Sequence, residues 1–418
     1  MKPDGPEGAR QVSMTKIQAQ SHGLQGVGSE EVHSCENSGR IFAFPALLRV
    51  VAGLIFRRSC HLLFMNDIRK DASAVEGNPA SQDLSEADRM AAAAAAARPV
   101  VCVVGLGGAG SNIVSWIKEK GMAGGKLVAA NTDAVHLSVT RADRRILIGE
   151  KLTHGQGAGG HPDVGEKAAY ESLQELREAV AGSRILLLCA GLGGGTGTGA
   201  INVLAKALPG EGILKIGVVT LPFSFERYRY KKAKKGLEKL REYCDTVVAI
   251  DNTRLSKVAG DLPLEQALGV ASELVGQFVK GITETITTPS LINIDYADLK
   301  AIMERRGLAA IGVGESSGKG RIEKAARKAI DSRLLAVRDP SKSHGALLLV
   351  TGGGDVTLEE VEAAGEEIMK GLRPGVKFVW GARIEENMHG RVRVMAVLTG
   401  VEGVFLSHKR RRVQPFPL

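Results

Sequence analysis

Between residues 184 and 199 the chain passes from an apolar run, Arg184–Ala190, into Gly193-Gly194-Gly195-Thr196-Gly197-Thr198-Gly199, and from there straight into a helical pattern. Few folds accommodate five glycines in seven residues at such a junction. Consecutive glycines let backbone N–H groups approach an anion closely, and the helix that follows adds the partial positive charge of its N-terminus. Thr196 and Thr198 add hydroxyl donors. Tight packing of a helix on a strand explains one or two such glycines but not five in seven, so the loop reads as a phosphate cradle.

A second loop of this kind, Gly105-Leu-Gly107-Gly108-Ala109-Gly110, follows the apolar run Val100–Val104 and also opens a helix. Alone it matches the dinucleotide fingerprint, with Asp133 about where a ribose-binding acid sits, and admits an NAD-dependent oxidoreductase. Two cradles on neighbouring strands suit a triphosphate better. No G-x-x-x-x-G-K-[ST] occurs and residues 193–199 contain no lysine, so the phosphate charge falls to backbone dipoles and Mg²⁺ rather than to a P-loop. A third loop, Gly155-Gln-Gly157-Ala158-Gly159, adds backbone donors, with Pro162 and Gly165 beyond it.

From residue 99 onward apolar strands alternate with helices: Lys126–Ala130, ending at Asn131-Thr-Asp133, then Lys215–Leu221 and Thr246–Ile250. Continuous apolar strands of this kind predict a parallel sheet covered on both faces. Residues 264–286 predict one long amphipathic helix, with Leu264, Leu268, Ala271, Val275, Phe278, Ile282 and Ile286 at steps of three and four. Pro263 suits its start and Thr287-Thr-Pro289 its end. Beyond residue 309 a smaller α/β unit is expected, with strands near 309–313, 345–351, 376–381 and 391–398 and helices near 320–331 and 357–371. The expected division is a disordered extension at 1–98, a nucleotide-binding domain at 99–263, the helix at 264–286, a loop and helix at 287–308, a C-terminal domain at 309–400 and a short basic tail at 401–418. Residues 1–64 lack sustained periodicity; one reading makes Met65 the native start, and the rival, a signal peptide, has its apolar part too far in and no basic segment leading straight into it.

Glycine is in excess, 52 of 418 residues, where about 7% is usual. Of the net charge of +9, Lys409-Arg-Arg-Arg412 supplies +4. The rest reads as thinly spread, so no nucleic-acid partner is expected. The five cysteines, Cys35, Cys60, Cys102, Cys189 and Cys244, form neither an even disulfide set nor a metal-ligand spacing, which points to a reducing compartment.

With these loops in order, residues 99–400 resemble FtsZ, the prokaryotic relative of tubulin, most closely its archaeal forms. Gly193–Gly199 is the tubulin signature unchanged. Asn131-Thr-Asp133, the 155–165 loop, Pro222-Phe-Ser-Phe-Glu226 and Asn252 match further nucleotide loops, and Asn293-Ile-Asp295-Tyr-Ala-Asp298 matches the family's synergy loop. The resemblance implies an α/β fold with a parallel-sheet nucleotide domain, a long central helix and a smaller C-terminal α/β domain. It implies a cytoplasmic GTPase that polymerises head to tail with itself at the division site, with GTP and Mg²⁺ bound and membrane-anchor or division proteins as further partners. No metal ligand is assigned to the protein itself. Gly107, Gly108, Ala109, Gly157, Ala158, Gly159 and Gly193–Gly199 would hold phosphates. Asn131 and Asp133 would belong to a further nucleotide-binding loop, Glu226 would bond the ribose, and Asn112, Asn252 and Ser272 would face the guanine. Asn293, Asp295 and Asp298 would act on the next subunit's nucleotide. Two carboxylates at i and i+3 share a helical face and can orient a water, although acids at a solvated helix start are ordinary too.

Four positions depart from the family pattern: Val135 stands where Gln is usual near the metal, Tyr230 for Arg, Leu268 for a stacking Phe, and Ser272 for the acid or amide that reads guanine. These departures allow a second reading, a nucleotide-binding filament scaffold that hydrolyses weakly. Gly195→Val is expected to abolish nucleotide binding with the fold intact.

Overall fold

The computed structural model describes residues 99–401, apart from 209–211, 260, 289, 305–306 and 333–338; for 256–259, 264, 268 and 340 only the backbone is described. The expected N-terminal extension, the start at Met65, Cys35, Cys60 and residues 402–418 with the basic tail lie outside the described residues.

The first strand, β1 (Val101–Leu106), runs into helix α1 (Gly107–Lys120), then β2 (Gly125–Asn131), α2 (Ala134–Val139) and β3 (Arg144–Leu147). Next come α3 (Glu150–Thr153), α4 (Pro162–Glu171), α5 (Leu173–Ala179), β4 (Ile185–Gly191), α6 (Thr196–Ala207), β5 (Leu214–Leu221), α7 (Arg227–Tyr243), β6 (Thr246–Asp251) and α8 (Asn252–Ala259). Helix α9 (Leu264–Thr287) leads to α10 (Tyr296–Met303), β7 (Gly307–Ser317), α11 (Arg321–Ile330), β8 (Gly345–Gly352), α12 (Leu358–Met369), β9 (Lys377–Ile384) and β10 (Arg391–Val401).

All ten strands share one sheet, in the order β3-β2-β1-β4-β5-β6-β7-β10-β8-β9. The first seven in that order pair in parallel. β10 lies antiparallel between β7 and β8, and β8 and β9 are parallel to each other. β3 was not expected: Arg144-Arg-Ile-Leu147 has neither an apolar run nor a clean alternation, and only Ile146 of it is buried. β7 extends well past the expected 309–313, because Gly314–Ser317 pairs with the other end of the long β10.

Alternate side chains of each central strand enter different cores. Cys102, Val104 and Leu106 pack under α5, α6 and α7 with Leu176, Ile201 and Leu237. Val101 and Val103 pack on the other face with Ile113, Phe278, Ile282 and Leu299, from α1, α9 and α10. Burial on both faces is the physical reason these strands read as unbroken apolar runs.

Helix α9 lies alongside α1 in the same direction. Gly276 sits against the Trp116 ring, Lys280 Nζ donates to the Gly121 carbonyl at 2.6 Å, and Ala123 N donates to Glu284 Oε1 at 3.1 Å. Thr287 closes on Gly124, just before β2 begins. The buried Glu284 also pairs with Arg383 of β9, which ties the long helix to the C-terminal half.

Charge is not thinly spread. Within its 17 residues α7 carries eight basic side chains against Glu238 and Glu242 alone.

Candidate nucleotide site

The glycine loops converge at the carboxyl ends of β1, β2 and β4, the crevice where parallel α/β sheets bind ligands. A Cβ on Gly107 would lie 2.7 Å from Gly197 N, so the first loop touches the second. One on Gly195 would meet Ala158 Cβ at 2.8 Å and His161 N at 2.9 Å, so the third loop touches the second as well. The third loop is tied to the end of β2: Gly157 N donates to the Thr132 carbonyl at 3.0 Å and Ala134 N to the Gly155 carbonyl at 2.9 Å. A Cβ on Gly193 would lie 2.8 Å from the Arg229 carbonyl, so the first turn of α7 closes the remaining side.

These contacts revise the reasoning from glycine count. Gly193 needs glycine for its backbone (φ 98°), and Gly195, Gly197 and Gly199 for close approach of other backbone. Packing therefore accounts for four of the five. Gly194 is different: nothing lies within 4 Å of its Cβ position, and the same is true of Gly108 in the first loop. Neither has positive φ. Neither packing nor conformation demands glycine there, and both Cβ positions face open space.

Both threonine hydroxyls are engaged inside the loops. Thr196 Oγ1 lies 2.6 Å from Thr132 Oγ1, and Thr198 Oγ1 accepts from Gly193 N at 2.8 Å. Thr198 thus braces the cradle from within by accepting from Gly193 N, and backbone N–H groups at the starts of α1 and α6 are the further donors these loops offer. Ala109 stands in the first turn of α1, exposed beside Gly108. Pro162 and Gly165 are helical rather than loop residues: Pro162 opens α4, and Gly165 is glycine because a Cβ would lie 2.4 Å from the Gly195 carbonyl. Ala158 is buried and Gly157 and Gly159 have positive φ.

Asp133 caps α2, accepting from His136 N at 2.9 Å, and the buried Asn131 holds the His136 ring at 3.5 Å. Glu226 Oε1 accepts from Phe223 N at 3.1 Å and Oε2 from Arg229 Nη1 at 2.6 Å. A carboxylate has lone pairs to spare for a hydroxyl after both. Arg229 is thus the guanidinium beside the loop. Tyr230, where Arg is usual, is half-buried, and burial with the nearby Asp251 carboxylate raises its phenol.

Two buried polar atoms near these loops have no partner among the described residues: Asn252 Oδ1 at the end of β6 and Ser111 Oγ in α1. A buried polar atom left unpaired costs about 1–3 kcal/mol, which a ligand donor can recover. Ser111 was not anticipated; the only signal was a small polar residue directly after Gly110. The register that sets Trp116 against Gly276 brings Asn112 and Ser272, one turn nearer the N-termini, to the same level between α1 and α9. The side chain of Leu268 lies outside the described residues. Val135 points outward in the first turn of α2, 79% exposed.

The acid loop is elsewhere. It starts where α9 ends, beside Gly124, at the opposite end of β2 from Asn131. Ile292 exchanges two backbone hydrogen bonds of 3.2 Å with Ala382 of β9, and Ile294 is buried beneath. Asn293 Oδ1 accepts from Ser290 N at 2.8 Å, so this amide holds the turn. Asp295 caps α10 without a side-chain bond to it, and Asp298 stands in its first turn, 3.7 Å from Lys377 Nζ. Both acids are exposed. Strands of six and seven residues separate the two ends, about 20 Å, so the molecule does not bring its own acids to its own glycine loops.

Among the described residues no three His, Cys, Asp or Glu side chains converge as a metal site, and no helix is long and apolar enough to cross a membrane.

Comparison with known proteins agrees with this geometry. Residues 100–260 match the family model described as the Tubulin/FtsZ family GTPase domain, and residues 307–402 match the FtsZ family C-terminal domain. The chain is 48% identical over 321 residues to "Cell division protein FtsZ 2" of Methanocaldococcus jannaschii, covering 75% of this chain and 84% of that protein. It is 44% identical over 348 residues to "Cell division protein FtsZ" of Haloferax mediterranei, covering 82% and 92%. Among solved structures it is similar to the empty FtsZ dimer of M. jannaschii, with a TM-score of 0.73 at 42% identity, over 80% of this chain and 100% of that one. Nothing in these matches favours the NAD-dependent oxidoreductase. Cradle, acid loop and sequence kinship together make this chain an FtsZ-like GTPase, a member of the FtsZ family within the tubulin superfamily.

Proposed function

We propose that this chain hydrolyses GTP between two copies of itself stacked head to tail, building protofilaments that act in cell division. The observation that carries the reading is the separation of the acid loop from the glycine loops. Each chain has half a site at either end, and the halves meet only when a second copy is stacked on the first. A heterologous contact that does not close gives an open filament. Exposed apolar side chains stand at both ends: Val135 and Phe225 around the cradle, 79 and 77% exposed, and Leu291 beside Asn293, 65% exposed. Surfaces of this kind mark association sites.

In this reading N–H groups at the starts of α1 and α6 hold the phosphates, with the space over Gly108 and Gly194 occupied by them. Glu226 takes the ribose, and Asn112, Asn252 and Ser272 face the base. A bound Mg²⁺ would supply offsetting charge to the phosphates, whose other partners are the backbone N–H groups of the loops. Asp295 and Asp298 of the next copy accept hydrogen bonds from the attacking water and aim it at the γ-phosphate. Asp298 is free to do so, because its pair with Lys377 is a loose surface contact. Charge developing in the transition state meets the backbone N–H groups already in place. The relatives' names carry cell division, and we extend that role to this chain, in the cytoplasm at the division site, with membrane-anchor or division proteins as further partners.

Mixing tests the shared site. Asp298→Ala lacks the acid, and Gly194→Val lacks room for phosphate. Each variant alone should release almost no phosphate. Together, one mixed contact pairs an intact cradle with an intact acid loop, so release should return and rise more than linearly with protein concentration. No release at any ratio, with co-pelleting established, sinks the proposal. Val135 supports the second reading, a scaffold with weak turnover, because an apolar side chain there holds no metal-bound water. That reading expects GTP-dependent pelleting of the wild type with negligible phosphate release.

A further inference from the structure

We propose that the cleft between α4, α6 and α7 binds single-stranded nucleic acid, with phosphates along a lysine row and bases against tyrosine rings. The cleft has a volume of about 610 Å³ and backs onto the glycine loop at the first turn of α6, where Thr198 and Gly199 form part of its wall. The inference does not depend on the GTPase reading.

Three lysines of α7, Lys231, Lys235 and Lys239, line the cleft at four-residue steps and so project from one helix face over about 12 Å. All three are exposed, and Lys206 of α6 faces them. None of the four makes a hydrogen bond or ion pair among the described residues. Lys232 differs: its Nζ donates to the Gly160 carbonyl at 2.7 Å and lies 4.1 Å from the centre of the Tyr228 ring. The chain has five tyrosines, and Tyr170, Tyr228 and Tyr243 all line this cleft. A row of unpaired cations with interleaved aromatic faces is the combination by which proteins hold single strands without reading sequence.

Other polyanions fit less well. A lone phosphate does not need a row of this length. A duplex is too wide to enter, and a lipid surface is too flat. An acidic peptide satisfies the lysines but leaves the rings without a role, and the helical walls offer no strand edge to pair with. Asp163 and Glu166 on the α4 wall repel phosphate, which keeps the backbone on the α7 side. Their oxygens accept hydrogen bonds from base amino groups or sugar hydroxyls. The expectation of no nucleic-acid partner rested on thinly spread charge, and α7 removes that ground.

Fluorescence anisotropy of the full chain tests this with labelled RNA and DNA single strands of about 12 nucleotides, the matching duplex and a polyglutamate peptide. Single strands of either sugar should bind more tightly than duplex or peptide. Neutralising three phosphates gives a log–log salt slope of about −2, a loss of roughly 20-fold between about 50 and 200 mM salt. The triple variant K231Q/K235Q/K239Q, with unchanged thermal melting, should lose that slope. Tyr170→Leu should weaken binding about tenfold and leave the slope alone. Equal binding of duplex or polyglutamate overturns the proposal. So does a triple variant that keeps wild-type affinity and slope, since binding then belongs elsewhere on the chain, as at Lys409–Arg412.

Discussion

Gly194 and Gly195 are neighbours in one loop and are glycine for different reasons. A side chain at 195 strikes Ala158 and the backbone at His161, whereas one at 194 enters open space. Gly194→Val should therefore abolish GTP binding with no change in thermal melting. Gly195→Val should also lower stability, by about 1–3 kcal/mol, because it overpacks the contact between two loops. Equal melting of the two variants would remove the distinction. Ser272 makes one hydrogen bond where a carboxylate accepts two. GTP should thus be preferred over ATP by less than is usual in the family, and Ser272→Asp should raise the preference about 5- to 150-fold, worth about 1–3 kcal/mol. Wild-type rejection of ATP that Ser272→Asp leaves unaltered would count against the assignment. Burial pushes the Cys102 thiol up to about 11 and those of Cys189 and Cys244 up to about 12. At pH 8 iodoacetamide should label none of the three in native protein and all three after unfolding, as read by peptide mass.

At the scale of elements, α9 was legible because its apolar stripe, Pro263 and Thr287-Thr288 are all local signals. β3 was not, since its place depends on pairing with β2. Partner-dependence also governs α11. Arg321 reaches from its first turn to Asp355 Oδ2 at 2.5 Å and grips Glu360 of α12 with two bonds of 2.7 and 2.8 Å. Its guanidinium holds the carboxyl of Asp355 well below the ordinary range and lowers that of Glu360 too. Groups depressed in the folded state stabilise it above their unfolded values, about 4, and lose that contribution as the pH falls through the folded values. Melting temperature should thus fall steeply below about pH 4. Arg321→Met should melt several degrees lower at pH 7 and show a shallower acid limb. Parallel acid limbs in the two proteins would place the acid sensitivity elsewhere.

At the scale of the whole molecule, α9 has 24 residues, about 36 Å, and carries the chain from the level of Asn112 and Ser272 to the opposite end of the sheet. Asp298→Ala should accordingly leave GTP affinity within about twofold of wild type while phosphate release falls by two or more orders of magnitude, the scale of losing a general base. Filaments should still pellet with GTP and should persist. Loss of GTP affinity in that variant would mean the acid serves its own subunit's nucleotide.

By itself the sequence determined the alternation of strands, cradles and helices, the long helix and the order of the nucleotide loops. Glycine spacing and apolar period are set within a dozen neighbouring residues, and no distant partner is needed to produce them. Only the tertiary structure decided which glycines face open space and which face backbone, since Gly107, Gly165 and Gly195 meet residues far away in the chain. It alone turned both threonine hydroxyls inward, joined the halves through β7 and β10, and gathered five lysines and three tyrosines from three helices into one cleft. Each of those outcomes depends on the register between segments that meet only after folding, and register is a property of packed surfaces rather than of any local run of residues.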